Sequence, residues 1–172
     1  MPRLATMPRI SDPPPYEYPL WADRETPSGY YWLVKRVIDG EFSFRLHLIA
    51  QQPFSGDARL ALALSLRKWV VLAASLERLC RWLGPDQLIY VDDGGWDTCA
   101  LCMCYARDAR CEPCPIFAET GKRMCNNTPY REFVVEMFQP VGDFQVIAGL
   151  EVAFLQRFTT GGYLEDRSWP PV

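Results

Sequence analysis

The sequence predicts an α+β fold in which a β-hairpin, extended into a small antiparallel sheet, packs on amphipathic helices. Residues 30–50 alternate apolar and polar side chains around Asp39-Gly40, and residues 65–83 repeat apolar residues at spacings of three and four. A cysteine-rich module at 96–130 has neither pattern. We therefore expect a bound metal to organise that module.

The composition predicts one compact domain. The chain has 172 residues, of which 49% are hydrophobic, which is enough for one core and too short for two ordinary domains. A formal net charge of −3 excludes a strongly basic protein, so nucleic acid would need a local patch. No run of about 18 apolar residues is present, and the N-terminus is too polar for a signal peptide. We expect a cytoplasmic protein that does not enter a membrane.

The chain divides into three parts. Residues 1–28 contain seven of the fifteen prolines, so they form an extended arm, because proline fixes φ and lacks an N–H donor. Because this arm contains several aromatic residues, we expect part of it to dock on the domain. Residues 29–160 form the single α+β domain, and residues 161–172 form a loose C-terminal tail.

The hairpin is predicted by Asp39-Gly40, a pair that suits the positive φ angles of a type I′ turn. Residues 42–48 then alternate as a half-buried strand does. The run 58–65 alternates its leucines and predicts a third strand, although alanine and leucine favour helix. We favour a short strand and then a helix capped by Ser65; the alternative is one long helix capped by Asp57.

Later elements follow from similar patterns. The first helix ends at Gly84-Pro85, residues 87–93 form a short strand, and a plain turn follows at Asp92–Gly95. A second helix begins at Thr128-Pro129 and ends at Pro140. The last helix spans residues 144–158, with these side chains on its packed face: Val146, Leu150, Ala153, Phe154 and Phe158.

Six of the seven cysteines lie between Cys99 and Cys125. Two CxxC pairs supply four thiolates, the tetrahedral donor set that zinc favours at about 2.3 Å. The gap between the pairs is short for a zinc ribbon, so a fifth cysteine can replace one of the four, and Cys104 is a sixth candidate. The predicted metal ligands are Cys99, Cys102, Cys111, Cys114 and Cys125. Disulfides and an iron–sulfur cluster are less favoured alternatives.

No catalytic residue is predicted. The one histidine, His47, lies on the polar side of a strand, and no H-x-E precedes the first CxxC. A cysteine nucleophile needs a partnered base, and only His47 offers one. The predicted zinc is therefore structural and the protein non-enzymatic.

Aromatic and arginine side chains around the cysteines form the predicted partner-binding surface, because these residue types dominate binding hot spots. They are Trp96, Tyr105, Arg107, Arg110, Arg123 and Tyr130. The alternative is that Trp96 and Tyr130 cover the metal site.

Six short motifs occur in order between residues 65 and 155: SLRKW, CALC, CEPCP, TGKRMC, TPY and EVAFL. Together they resemble a pattern of uncharacterised small Cys-rich proteins encoded by bacteriophages, over a little more than half of the chain. The resemblance implies a phage setting and no activity. We expect a protein of the infected bacterial cell that binds a host or phage protein; the alternatives are a nucleic-acid-contacting zinc-knuckle accessory protein and a small virion component.

Overall fold

A five-stranded sheet and five α-helices make up the α+β fold, as the sequence predicts. The computed structural model describes residues 18–22, 30–36, 42–48, 58–105 and 111–159. The strands are β1 (Tyr18–Ala22), β2 (Tyr30–Arg36), β3 (Phe42–Leu48), β4 (Leu88–Asp92) and β5 (Phe138–Pro140). The helices are α1 (Ala58–Leu83), α2 (Ala100–Tyr105), α3 (Pro115–Thr120), α4 (Tyr130–Val135) and α5 (Val141–Thr159), with 3₁₀ turns at Gly95–Thr98 and Arg123–Cys125.

The sheet has the strand order β1-β2-β3-β4-β5. Strands β2 and β3 form the predicted antiparallel hairpin, in register from Tyr30 opposite Leu48 to Arg36 opposite Phe42; Asp39-Gly40 lies outside the described residues. β1, from the proline-rich arm, pairs antiparallel with β2. The β3–β4 pair is parallel, so the antiparallel hairpin expected from the sequence is part of a larger, mixed sheet. The reason is that α1 connects the two strands, and a helical crossover joins parallel neighbours.

Residues 58–83 form one helix, α1. The favoured prediction of a strand at 58–65 was therefore wrong, and the alternative of one long helix was right, because the helix propensity of alanine and leucine outweighs a short alternation. Ser65 does not cap a helix but lies inside one, where its Oγ accepts the backbone N–H of Leu101 at 3.1 Å. Asp57 lies outside the described residues.

The repeat of apolar residues at spacings of three and four predicts one packed stripe on α1, and the observed buried face is wider than this stripe. The predicted stripe consists of Leu66, Trp69, Ala73, Leu76, Cys80 and Leu83. Leu66, Ala73 and Cys80 are only partly buried, because the helix packs on α5 and α2 as well as on the sheet. The buried residues are Ala61, Leu62, Leu64, Ser65, Lys68, Trp69, Val71, Leu72, Ser75, Leu76 and Leu79.

The predicted second and last helices correspond to α4 and α5, whose boundaries and packed face differ from the prediction. α4 ends at Val135, because residues 138–140 form β5 and pair with β4. α5 then begins at Val141, and its predicted packed face is corrected: Val146 is 63% exposed and Leu150 is 52% exposed. Helix α5 packs mainly on α1, and its buried residues are Val141, Phe144, Ile147, Ala148, Glu151, Leu155 and Phe158.

Aromatic rings join α1, α4 and α5 in the core. The rings of Trp69 and Phe133 meet edge to face at 5.1 Å, and those of Phe133 and Phe144 lie 4.9 Å apart. Such pairs contribute about 0.5–1.5 kcal/mol beyond their buried area. This cluster fixes α4, and with it the end of the cysteine-rich module, against the long helices. Within the described residues, no helix has the length and apolar character needed to cross a membrane.

Candidate metal centre

A cavity of about 520 Å³ lies between α1, α5 and the cysteine-rich module. Five cysteines line it, and they are the five predicted ligands: Cys99, Cys102, Cys111, Cys114 and Cys125. Cys104, the sixth candidate, belongs to the hydrophobic core. All seven cysteines lie in the described residues, and each is a free thiol. The folded chain thus brings together thiols that are spread over 27 residues of sequence.

Cys99 and Cys102 form a close pair at the start of α2. The backbone N–H of Cys102 donates to Sγ of Cys99 at 3.3 Å, and the two thiols hydrogen-bond to each other. Two sulfurs bound to one tetrahedral zinc at about 2.3 Å lie about 3.8 Å apart. A single zinc ion held by Cys99 and Cys102 would therefore set their two sulfurs at about that separation.

The electrostatics of the pair favour one thiolate. The hydrogen bond from Cys102 and, to a smaller extent, the charge of Lys68 lower the pKa of Cys99 to about 6, against the effect of burial. The same hydrogen bond, together with burial, raises the pKa of Cys102. Cys99 is therefore largely ionised at neutral pH, the form in which a cysteine binds metal.

Cys111 and Cys114 lie at the two ends of a turn that precedes α3. The backbone N–H of Cys114 donates to the carbonyl oxygen of Cys111 at 2.8 Å. Pro115 begins α3, a position where the missing N–H of proline costs nothing. Cys114 is 8% exposed; its burial raises its pKa to about 12, although the backbone N–H groups of Ile116 and Phe117 act in the opposite direction.

Cys125 lies in a strained turn. The φ angles of Met124, Cys125 and Asn127 are 59°, 53° and 70°, a left-handed conformation that costs a non-glycine residue about 1–2 kcal/mol. The hydroxyl of Thr128 donates to the carbonyl oxygen of Cys125 at 2.9 Å. Burial, and then the nearby sulfurs of Cys99 and Cys114, raise the pKa of Cys125. Strain of this kind persists only where surrounding contacts fix the backbone.

An ion pair joins this strained turn to the turn that carries Cys111 and Cys114. The guanidinium of Arg123 contacts the carboxylate of Glu112. Both side chains are exposed, so the pair contributes little to stability. Its structural effect is to hold two cysteine-bearing segments side by side.

Glu151 is a buried carboxylate that the sequence analysis did not single out. It is 4% exposed, lines the cavity, and accepts the backbone N–H of Tyr130 at 3.1 Å. Burial raises its pKa to about 7, while the N–H of Tyr130 lowers it and the nearby Cys99 raises it. Its spacing of four from Ile147 and Leu155 places an acidic residue in an apolar stripe, which is the signal that the sequence offered.

A buried ion pair supports the start of the module. Nζ of Lys68 donates to Oδ2 of Asp93 at 2.7 Å, and the side chains are 2% and 7% exposed. Asp93 also accepts the N–H of Gly95 at 3.3 Å, and its carbonyl accepts the hydroxyl of Thr98 at 2.6 Å. Asp92–Gly95, the segment that was predicted to be a plain turn, is thus anchored to α1. It lies shortly before Cys99.

The donor set suits zinc, because thiolate sulfur is a favoured zinc ligand. However, within the described ranges no group of three or more His, Cys, Asp or Glu side chains is arranged so that it could hold a metal ion. The five thiols share one cavity without forming a closed ligand cage. Binding of zinc therefore requires some of these side chains to turn inward.

The predicted partner-binding residues occupy different environments. Trp96 is 68% exposed at the cavity mouth, and Arg123 is exposed but paired with Glu112. Tyr130 is half-buried against Trp69, with ring centroids 5.7 Å apart. Tyr105 is 6% exposed, so little of its side chain can reach a partner. Arg107 and Arg110 lie outside the described residues.

The fold and the cavity define an α+β protein in which five cysteines line one cavity. Comparison of the chain with protein-family models, with curated proteins and with solved structures finds no match. The residues of the site are therefore the basis for its function.

Proposed function

We propose that this chain is a non-enzymatic zinc-binding protein whose cysteine-rich module binds another protein, of the host or of a phage, in the cytoplasm of an infected bacterium. One observation supports this most. Trp96 and Met124 are 68% and 65% exposed, and both lie at the mouth of the cavity that the five cysteines line. Large apolar side chains on a rigid rim are typical of binding hot spots.

A structural zinc would supply the rigidity of that rim. α2 and α3 have six residues each, which is far shorter than a helix that is stable alone in water. A structural zinc contributes on the order of 10 kcal/mol to folding. Ligation by thiols on both sides of these short helices would hold Trp96 and Met124 in fixed positions.

The groups around the cavity favour a binding role over catalysis. Lys68 is neutralised by Asp93, and the carboxylate of Glu151 accepts a backbone N–H. A cysteine nucleophile requires a partnered base, usually histidine, and the sequence has one histidine, His47 in β3. The chemistry that remains is metal ligation by sulfur.

The test is affinity capture with the purified zinc-loaded protein, followed by titration calorimetry with the captured partner after its purification. Replacing Trp96 and Met124 together by Ala should weaken binding by at least about tenfold, since each hot-spot residue contributes about 2 kcal/mol. The matched control replaces Val146 and Leu150, an equally exposed apolar pair on α5, and should bind normally. Zinc content and Tm should be unchanged in both variants.

Equal binding by both double variants would place the interface elsewhere. Replacement of Arg107 and Arg110 by Ala then tests the neighbouring basic residues. Retention on DNA or RNA that falls steeply with salt would instead support the nucleic-acid alternative, and recovery of the protein in purified particles would support the virion alternative.

A further inference from the structure

We infer that four of the five cavity cysteines, namely Cys99, Cys102, Cys114 and Cys125, form the zinc site, and that Cys111 stays outside it as a free thiol. The inference rests on the proposed zinc centre and names its ligands. A tetrahedral site takes four sulfurs, so one of the five must be left out.

The two CxxC segments differ in where a backbone N–H points. In the first, the N–H of Cys102 donates to the sulfur of Cys99. In the second, the N–H of Cys114 donates to the carbonyl oxygen of Cys111 and not to its sulfur. Hydrogen-bond donors stabilise a thiolate and orient it for a metal. The sulfur of Cys99 thus receives a donor from its own CxxC segment, whereas the corresponding N–H of the second segment goes to the carbonyl oxygen of Cys111.

Cys114 and Cys125 are, with Cys99, the cavity thiols that belong to the hydrophobic core or pack against it. Cys114 is part of the hydrophobic core, and Cys125 packs against the same core. Cys111, by contrast, lies at the outer end of its turn, followed by the exposed residues Glu112 and Pro113. Because Cys114 lies in the interior and Cys111 lies at the outer end of the turn, Cys114 is the ligand and Cys111 is not.

The backbone around Cys125 is fixed as a ligand position requires. The hydroxyl of Thr128 donates to the carbonyl oxygen of Cys125. The N–H of Tyr130, two residues after Thr128, donates to the carboxylate of Glu151. The first contact closes the left-handed turn on itself, and the second anchors the residues that follow it to α5. A buried fifth thiolate would add negative charge next to Glu151, at a cost that no further zinc bond repays, so four sulfurs are the favoured number.

The experiment uses the full chain purified in the presence of Zn²⁺, with metal measured by mass spectrometry. We expect about one zinc per chain in the wild type and in Cys111→Ser, and loss of zinc in the serine variants of Cys99, Cys102, Cys114 and Cys125. Since those four variants can also fail to fold, alkylation of the wild-type protein provides a second readout. Iodoacetamide should modify Cys111 about tenfold or more faster than the other four, until a chelator exposes them.

The outcomes separate the two proposals. A wild-type protein without zinc would overturn the proposed zinc centre and this ligand set together. Zinc that is present in the wild type but lost from Cys111→Ser, or protection of Cys111 from alkylation, would overturn the ligand set alone. Retention of zinc by any of the other four variants would also overturn it.

Discussion

Replacement of Lys68 by Met should destabilise the fold strongly, because it leaves the carboxylate of Asp93 buried without its partner. The two side chains are 2% and 7% exposed and their charged atoms are 2.7 Å apart. Removing one member of such a pair costs about 3–5 kcal/mol. Domains of this size have a free energy of unfolding of about 5–15 kcal/mol, so the loss is a large fraction of the total.

The double variant Lys68→Met/Asp93→Asn should recover most of that loss. It removes both charges, and the Asn side-chain oxygen can still accept the N–H of Gly95, as Asp93 does at 3.3 Å. Arg81→Met is the matched control. Its partner Glu77 lies 3.7 Å away on the exposed face of α1, and exposed pairs of this kind contribute about 0.3–0.5 kcal/mol.

Equilibrium urea unfolding, followed by circular dichroism, measures all three variants under the same metal conditions. The reasoning is refuted if Lys68→Met costs no more than Arg81→Met. It is also refuted if the double variant is no more stable than Lys68→Met alone, since the cost would then come from lost packing and not from an unpaired charge.

Three further predictions concern the cysteine-rich module. Chelation should increase hydrogen exchange across residues 96–130 and leave the β2–β3 hairpin protected, because the zinc contributes mainly to the local fold; unchanged exchange with no released metal would contradict this. Cys80→Ala should cost about 1 kcal/mol in urea unfolding and retain the metal, because Cys80 is partly buried on α1 away from the cavity thiols; loss of metal from this variant would make Cys80 part of the site. In the metal-free protein, burial raises the pKa of Glu151 from 4.5 to about 7, so its contribution to stability is greatest below pH 4.5 and falls by up to about 3 kcal/mol as pH rises to 7; Glu151→Gln should remove this fall, and identical pH profiles would refute it.

The sequence predicted those parts of the fold that depend on local patterns. The alternation on both sides of Asp39-Gly40 predicted the β2–β3 hairpin, and Gly84-Pro85 predicted the end of α1. It did not decide between strand and helix at 58–65, because alternating leucines in an alanine-rich run fit both. The parallel β3–β4 pair followed only once α1 was known to connect the two strands.

The sequence analysis identified the cysteines of the site and missed its buried charged residues. CxxC spacing is a local signal, and all five predicted cysteines line one cavity. Lys68 and Asp93 are 25 residues apart, so their pairing depends on how β4 returns beside α1. Glu151 was missed because the predicted packed face of α5 was centred on Val146 and Leu150, which are exposed. In α1 and α5, a charged residue lies within an apolar stripe and at the buried site. These residues are Lys68 and Glu151.

We propose that a thiolate-bound zinc organises the cysteine-rich module. The most direct test is elemental analysis of the purified protein, combined with a count of free thiols after denaturation in the presence of a chelator. The account predicts about one zinc per chain and seven reduced cysteines. Protein that is folded but contains no zinc, or that contains iron or disulfides in its place, would contradict it.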